Sequence, residues 1–219
     1  MLKLKKTLQA AACAALALLP LTTASPAHAD DTTTYLHEAV DQLPLAAESR
    51  DGYQRTSFKH WIDADHNGCT TRAEVLIAES RMPVEIGPKC KIRSGEWFSY
   101  YDQQHVTDPR KLDIDHMVPL AEAWDSGASQ WTAARRQAYA NDLDSARSLV
   151  AVTAKTNRSK ADQDPAQWMP PAPEARCTYL ADWISTKLRW SLTIDQIESD
   201  ALRGLVTACP DTELTYTPA

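Results

Sequence analysis

The sequence predicts an α+β fold that is mainly helical, with a small sheet. Three observations predict it. Several segments carry apolar residues at helical spacing, while no strand-like run is long. The 219 residues include 13 Pro and only 6 Gly with no repeating period, which excludes collagen-like and repeat architectures. A hydrophobic fraction of 43%, a charged fraction of 24% and seven Trp exclude a disordered chain. The length suits one compact unit, or one unit with a small extension.

The first element is not part of the fold. Lys3, Lys5 and Lys6 precede an apolar run from Leu8 to Leu21, and Ala27-His28-Ala29 offers small residues for cleavage. This is the three-part pattern of a secretory signal peptide over residues 1–29. The run is short of the ~20 apolar residues that a membrane span needs, so no membrane anchor is expected. The exported chain would start at Asp30. It loses three lysines and no acids, so its net charge falls from −6 to −9. An acidic total excludes bulk coating of nucleic acid. Between Gln130 and Lys160, however, six basic residues face two acids, and a locally basic cleft is expected there.

Along the exported chain, residues 30–88 read as an N-terminal helical segment, with helices expected over 33–43, 55–62 and 71–80. Residues 89–219 read as the main domain, the two together forming one unit. Residues 89–101 alternate and are aromatic, with a Ser-Gly break at 94–95, which predicts a hairpin. Residues 112–116 and 149–152 predict two short strands, the first stopped by Pro119. Helices are expected over 120–124 and 130–141, and Asn157 is expected to open a short polar helix. Pro170, Pro171 and Pro173 form a connector to a closing helix pair. Cys177, Leu180, Ile184 and Leu188 mark one face of that pair, and Ile194, Ile197, Ala201, Leu205 and Cys209 mark the other. With only two Phe, the tryptophans serve first as core filler; Trp124, Trp131 and Trp168 also flank the motif region, where base stacking is the alternative.

Four cysteines remain after the leader: Cys69, Cys90, Cys177 and Cys209. An even number in an exported chain predicts two disulfides with three pairings open. The favoured pairing is Cys69–Cys90 with Cys177–Cys209. For the second, two antiparallel helical arms of roughly 20–24 Å bring their cysteines together at the open end. A zinc site lacks the close Cys-x-x-Cys pairs it needs.

The chemical centre is Asp113-Ile-Asp-His-Met-Val-Pro119, which sets Asp115 beside His116 at a strand end, followed downstream by Asn157-Arg-Ser-Lys-Ala-Asp162. Imidazole accepts a proton near neutral pH. A carboxylate and an amide oxygen are hard ligands suited to Mg²⁺. A phosphodiester-hydrolysing site needs both parts. These residues resemble the HNH, or His-Me finger, endonucleases. The pattern Pro119-Leu-Ala-Glu-Ala-Trp-Asp-Ser-Gly127, then Tyr139-Ala-Asn-Asp142, then Asp164-Pro-Ala-Gln-Trp168 is most similar to the family named for the C-terminal domain of GmrSD restriction enzymes, which includes secreted bacterial proteins. The HNH domain of RNA-guided CRISPR nucleases has a similar motif pair.

The resemblance implies a small ββα-metal core with surrounding helices and a C-terminal helix hairpin, in a secreted, metal-dependent endonuclease. It implies His116 as general base and Asp115 and Asn157 as holders of the divalent metal, Mg²⁺ ahead of Mn²⁺. It implies Arg158 and Lys160 at substrate phosphate, and DNA ahead of RNA as substrate. No obligate protein partner is implied. One position departs: the middle residue of the triplet, usually Asn before the second strand and used to fix the loop or orient the histidine, is Ser148, and Asn141 lies too early to align. The histidines at 37, 60, 66 and 105 read as surface residues.

A second constellation, Asp63, Asp65, Asn67, Gly68 and Glu74, matches positions 1, 3, 5, 6 and 12 of an EF-hand loop. It is a candidate Ca²⁺ site; a structural turn is the other reading, since Cys69 inside it is expected in a disulfide and no second hand is present. This loop and Ser148 support the alternative function, a non-catalytic extracellular calcium-stabilised binding protein on a nuclease-like fold.

Overall fold

The computed structural model describes residues 30–219, so the expected leader lies outside the described residues. The fold is α+β, but its strands form four separate two-stranded antiparallel pairs rather than one small sheet. Among the described residues no helix is long and apolar enough to cross a membrane.

The described residues start with a strand, not a helix. β1 (Thr32–Tyr35) pairs with the last strand, β8 (Glu213–Tyr216). Three consecutive β-branched threonines favour the extended form, and Thr33 hydrogen-bonds Thr215 across the pair at 2.8 Å. Helix α1 (Leu36–Val40) then buries Leu36, Ala39 and Val40 at helical spacing. The helix expected over 55–62 is a single 3₁₀ turn, Arg55–Ser57. Phe58 leaves it in an extended conformation to sit fully buried, and Trp61 takes a positive φ of 58°. Tertiary anchoring overrides helical spacing here. α2 (Thr71–Ala78) forms as expected.

Residues 89–101 do not fold back on themselves. β2 (Glu85–Gly87) pairs with β3 (Lys91–Ser94), and β4 (Trp97–Ser99) pairs with β5 (Gln104–Val106). The break between them is set by Gly95 and Trp97. A Cβ at Gly95 would lie 2.5 Å from the Trp97 ring. That ring is buried and donates Nε1–H to the Leu76 carbonyl at 2.8 Å.

The central pair is β6 (Leu112–His116) against β7 (Leu149–Thr153), with Asp115 opposite Val150 and His116 opposite Leu149. It is buried on both faces. Val150 and Val152 enter the larger core with Phe58, Met117, Tyr179 and Trp183, while Leu112, Ile114, Leu149 and Ala151 pack with Val75, Leu76 and Trp97. Between the strands run α3 (Leu120–Asp125) and α4 (Ala133–Ala140). β7 turns directly into α5 (Ala154–Lys160), capped by Thr153, whose Oγ1 accepts from Thr156 N. Asn157 therefore sits mid-helix rather than at the helix start.

The closing pair is α6 (Arg176–Trp190) and α7 (Gln196–Leu205). Both favoured disulfides are present, Cys69–Cys90 and Cys177–Cys209. Ile197, expected on the buried face of α7, is 70% exposed, and Leu202 is buried instead. Of the tryptophans, 97, 183 and 190 are buried, and 124, 131 and 168 pack half-buried against the core.

Candidate active site

The site forms where β6 ends. Alternation puts Asp113 and Asp115 on one side of the strand and His116 on the other. The strand ends at His116, and the N–H of the next residue, Met117, donates to the Ser148 carbonyl at 2.9 Å. Both sides border one cleft of about 460 Å³, lined by Asp115, His116, Asn157 and Arg158 from β6 and α5, and by Tyr53 and Arg55 from the N-terminal segment.

His116 is buried, and its Nε2 lies 3.0 Å from the Ala140 carbonyl oxygen. A carbonyl only accepts, so Nε2 carries the proton and Nδ1 keeps its lone pair. Burial pushes the imidazole down to about 3, against the pull of the Ala140 hydrogen bond. The ring therefore rests neutral, with the Nδ1 lone pair unprotonated, and burial disfavours the imidazolium. Tyr139 stacks over it with its centroid at 6.5 Å, and Trp61 lies at 5.2 Å, tilted by 31°. His60, expected at the surface, is half-buried with its ring 6.2 Å away.

The Asp115 carboxylate is buried. Its Oδ2 accepts from Lys160 Nζ and from the Tyr101 hydroxyl, both at 2.6 Å. Burial raises this carboxyl, and Lys160 opposes the shift. Oδ1 has no hydrogen-bond partner among the described residues, and Asp115 is part of the cleft lining. Asn157 donates Nδ2–H to Asp113 at 3.3 Å, which leaves its amide oxygen free. Arg158, its side chain 75% exposed, pairs with the same Asp113 oxygen at 3.3 Å. Asp113 thus orients both α5 residues. Its place two residues before Asp115 on a strand was the available signal.

Two expected roles do not match the geometry. Lys160 is fully buried, with its ammonium spent on Asp115 and on the carbonyls of His116 (3.1 Å) and Met117 (2.8 Å). It faces no solvent and pins the β6 end to α5. Ser148 does not orient His116. Its hydroxyl donates to Asp142 at 2.7 Å. The loop is fixed by Asn141 instead, next to the carbonyl that holds the imidazole. Asn141 accepts from Ile62 N and Thr71 Oγ1, and donates to the carbonyls of Lys59 and Gln137.

The acidic loop is separate. Asn67 donates Nδ2–H to both Asp65 (2.9 Å) and Glu74 (2.7 Å), and Gly68 N–H donates to Asp63 Oδ2. Asp63 Oδ1 is buried without a partner. Among the described residues, only Glu48, Glu122 and Glu198 bring three carboxylates within 4.8 Å of one another. Their centre is taken by an ammonium: Lys187 donates to Glu122 at 2.9 Å and Glu198 at 2.6 Å.

Comparison with known proteins bears on this cleft. Residues 87–205 match the model of the family described as GmrSD restriction endonucleases, C-terminal domain. The chain is 41% identical to an uncharacterized secreted protein of Arthroderma benhamiae over 160 residues, covering 73% of this chain and 77% of that one. No solved structure matches.

Proposed function

Because the chain belongs to the family of GmrSD restriction endonuclease C-terminal domains, we propose that it is a secreted, metal-dependent HNH-type endonuclease. In this reading β6, β7 and α5 are its ββα-metal core and DNA is its substrate ahead of RNA. One observation carries the reading: a single cleft is lined by a neutral imidazole, a carboxylate with one uncommitted oxygen and an amide with a free oxygen.

That donor set fits a hard divalent cation, Mg²⁺ ahead of Mn²⁺, held by Asp115 Oδ1 and the Asn157 amide oxygen. When bound, the cation supplies Lewis-acid stabilisation of the negative charge that develops on phosphate. His116 does the proton chemistry. Its Nδ1 takes a proton from the attacking water as the water oxygen bonds to phosphorus and the ester oxygen departs. The Ala140 carbonyl fixes the tautomer and stabilises the imidazolium that results. Lys160 and Tyr101 keep Asp115 in place, and Asp113 turns the Asn157 oxygen outward.

The test is plasmid cleavage by the purified chain with Mg²⁺ or Mn²⁺, then with chelator, beside His116→Ala. Loss of at least about 100-fold in His116→Ala, at unchanged melting temperature, is expected. Full activity in that variant refutes the base. No cleavage by folded wild type with any divalent cation refutes the enzyme.

A further inference from the structure

The charges lining the cleft are almost all compensated. Asp115 is paired with Lys160, Arg158 with Asp113, and Asp162 with Arg50. His116 is neutral. Arg55 is the exception: it lines the cleft, and among the described residues its guanidinium has no ion pair. Its side-chain hydrogen-bond partner is the neutral Tyr53 hydroxyl. A cleft whose one uncompensated charge is an arginine selects an anion.

The wall that carries Arg55 is built rather than loose. Side chains from the excursion between β6 and β7 tie down its carbonyls. Trp124 Nε1–H donates to Asp51 O at 3.1 Å, Arg136 Nε–H to Ser57 O at 3.2 Å, and Asn141 Nδ2–H to Lys59 O at 2.8 Å. Phe58 anchors the segment in the core. Arg55 is thus held at the cleft by backbone fixed on both sides, with no acidic partner for its charge. A guanidinium without an acidic partner matches a phosphate group bidentately through its forked N–H donors.

We propose that Arg55 is the phosphate-binding residue of this cleft, supplied by the N-terminal segment and outside the stretch, residues 87–205, that the family model matches. The proposal rests on the endonuclease reading for its substrate, a nucleic-acid phosphodiester. The arginine site itself is decided separately. Residues 51–62 then belong to the active unit, and the cleft is incomplete without them.

The experiment has two arms. In the first, pyrophosphate is titrated into wild type, Arg55→Ala, Arg55→Lys and Arg110→Ala, and the melting temperature is followed. Arg110 is an exposed arginine paired with Asp108 and controls for the loss of one charge. The expected result is stabilisation of wild type and of Arg110→Ala, partial stabilisation of Arg55→Lys, and none of Arg55→Ala. In the second, a labelled DNA duplex is bound by the His116→Ala chain with and without Arg55→Ala. Binding should weaken about tenfold, and the slope of log K against log salt should fall by about one. Pyrophosphate that fails to stabilise wild type, or stabilises Arg55→Ala equally, overturns the proposal. Arg55-dependent pyrophosphate binding with no duplex bound or cut upholds the arginine site and overturns the endonuclease reading alone.

Discussion

Lys160 and Arg158 lie two residues apart on α5 and do opposite work, because one is buried and the other is not. Lys160→Met would strand the Asp115 carboxylate inside the protein. A buried charge left unpaired costs about 3–5 kcal/mol, to be read as a lowered urea midpoint at unchanged m-value. Arg158→Ala removes an exposed pair and should change stability by less than about 1 kcal/mol. Equal losses in the two variants would contradict this division. The same burial explains why the basic stretch from Gln130 to Lys160 misled. Arg136 bonds the carbonyls of Ser57, Ala128 and Trp131, Arg135 bonds Trp190, Arg147 pairs with Asp182, and Lys160 pairs with Asp115. Only Lys155 and Arg158 of the six are exposed. Sequence shows charge but not what neutralises it. Asp115, His116 and Asn157, which line one cleft, were legible because their side-chain types at that spacing make a motif. The Ala140 carbonyl was not, since every residue has one, and Arg55 sits in a segment with no motif of its own.

At the scale of elements, the parts that read correctly are those whose local pattern agrees with their burial. β6 and β7 are short apolar runs, buried on both faces, and α7 alternates as its spacing requires, Ile197 apart, whereas α6 is buried on nearly every side and its expected face residues Cys177 and Leu188 are half-buried. The segments at 33–35 and 55–62 were misread because their state is set by distant partners, β8 for the first and Arg136 and Asn141 for the second. The Cys177–Cys209 bridge closes a separation of 32 residues around the α6–α7 pair. By the chain-entropy estimate, replacing both cysteines with serine should cost about 3–4 kcal/mol, seen as a lowered melting temperature. A change under about 1 kcal/mol would show that packing of the two helices alone holds that end. In the acidic loop the Asn67 amide joins Asp65 to Glu74. Asn67→Asp replaces that donor with a fourth carboxylate beside Asp63, Asp65 and Glu74. The variant should melt several degrees lower in chelator and recover in millimolar Ca²⁺. A melting temperature indifferent to Ca²⁺ would show that the loop oxygens cannot converge on a cation.

Over the whole molecule, pH should act through buried and half-buried carboxylates that do not line the cleft. Glu48, Glu122 and Glu198 crowd around one ammonium, Lys187, where the residue 46–51 stretch meets α3, α6 and α7. Burial first, then the neighbouring carboxylates, pushes Glu48 up to about 8 against the pull of Lys187, with Asp195 adding a small repulsion. Burial likewise pushes Glu198 up to about 7 and Glu79 up to about 7, and Asp182 up to about 6 despite Arg147 and the Tyr100 hydroxyl. A carboxyl raised in the folded state binds its proton more tightly than in the unfolded chain. Its contribution is therefore fully present below the unfolded value of 4.5 and is lost as pH rises through the folded one, here between 4.5 and about 8. The melting temperature should fall across that window rather than peak at neutrality. Glu48→Gln keeps the shape and holds the side chain neutral throughout. It should flatten the upper part of the fall while leaving the acidic side unchanged, because below the window Glu48 is already protonated. A wild-type profile that rises from pH 4.5 to 8, or a Glu48→Gln profile parallel to wild type, would show that Lys187 keeps all three glutamates ionised.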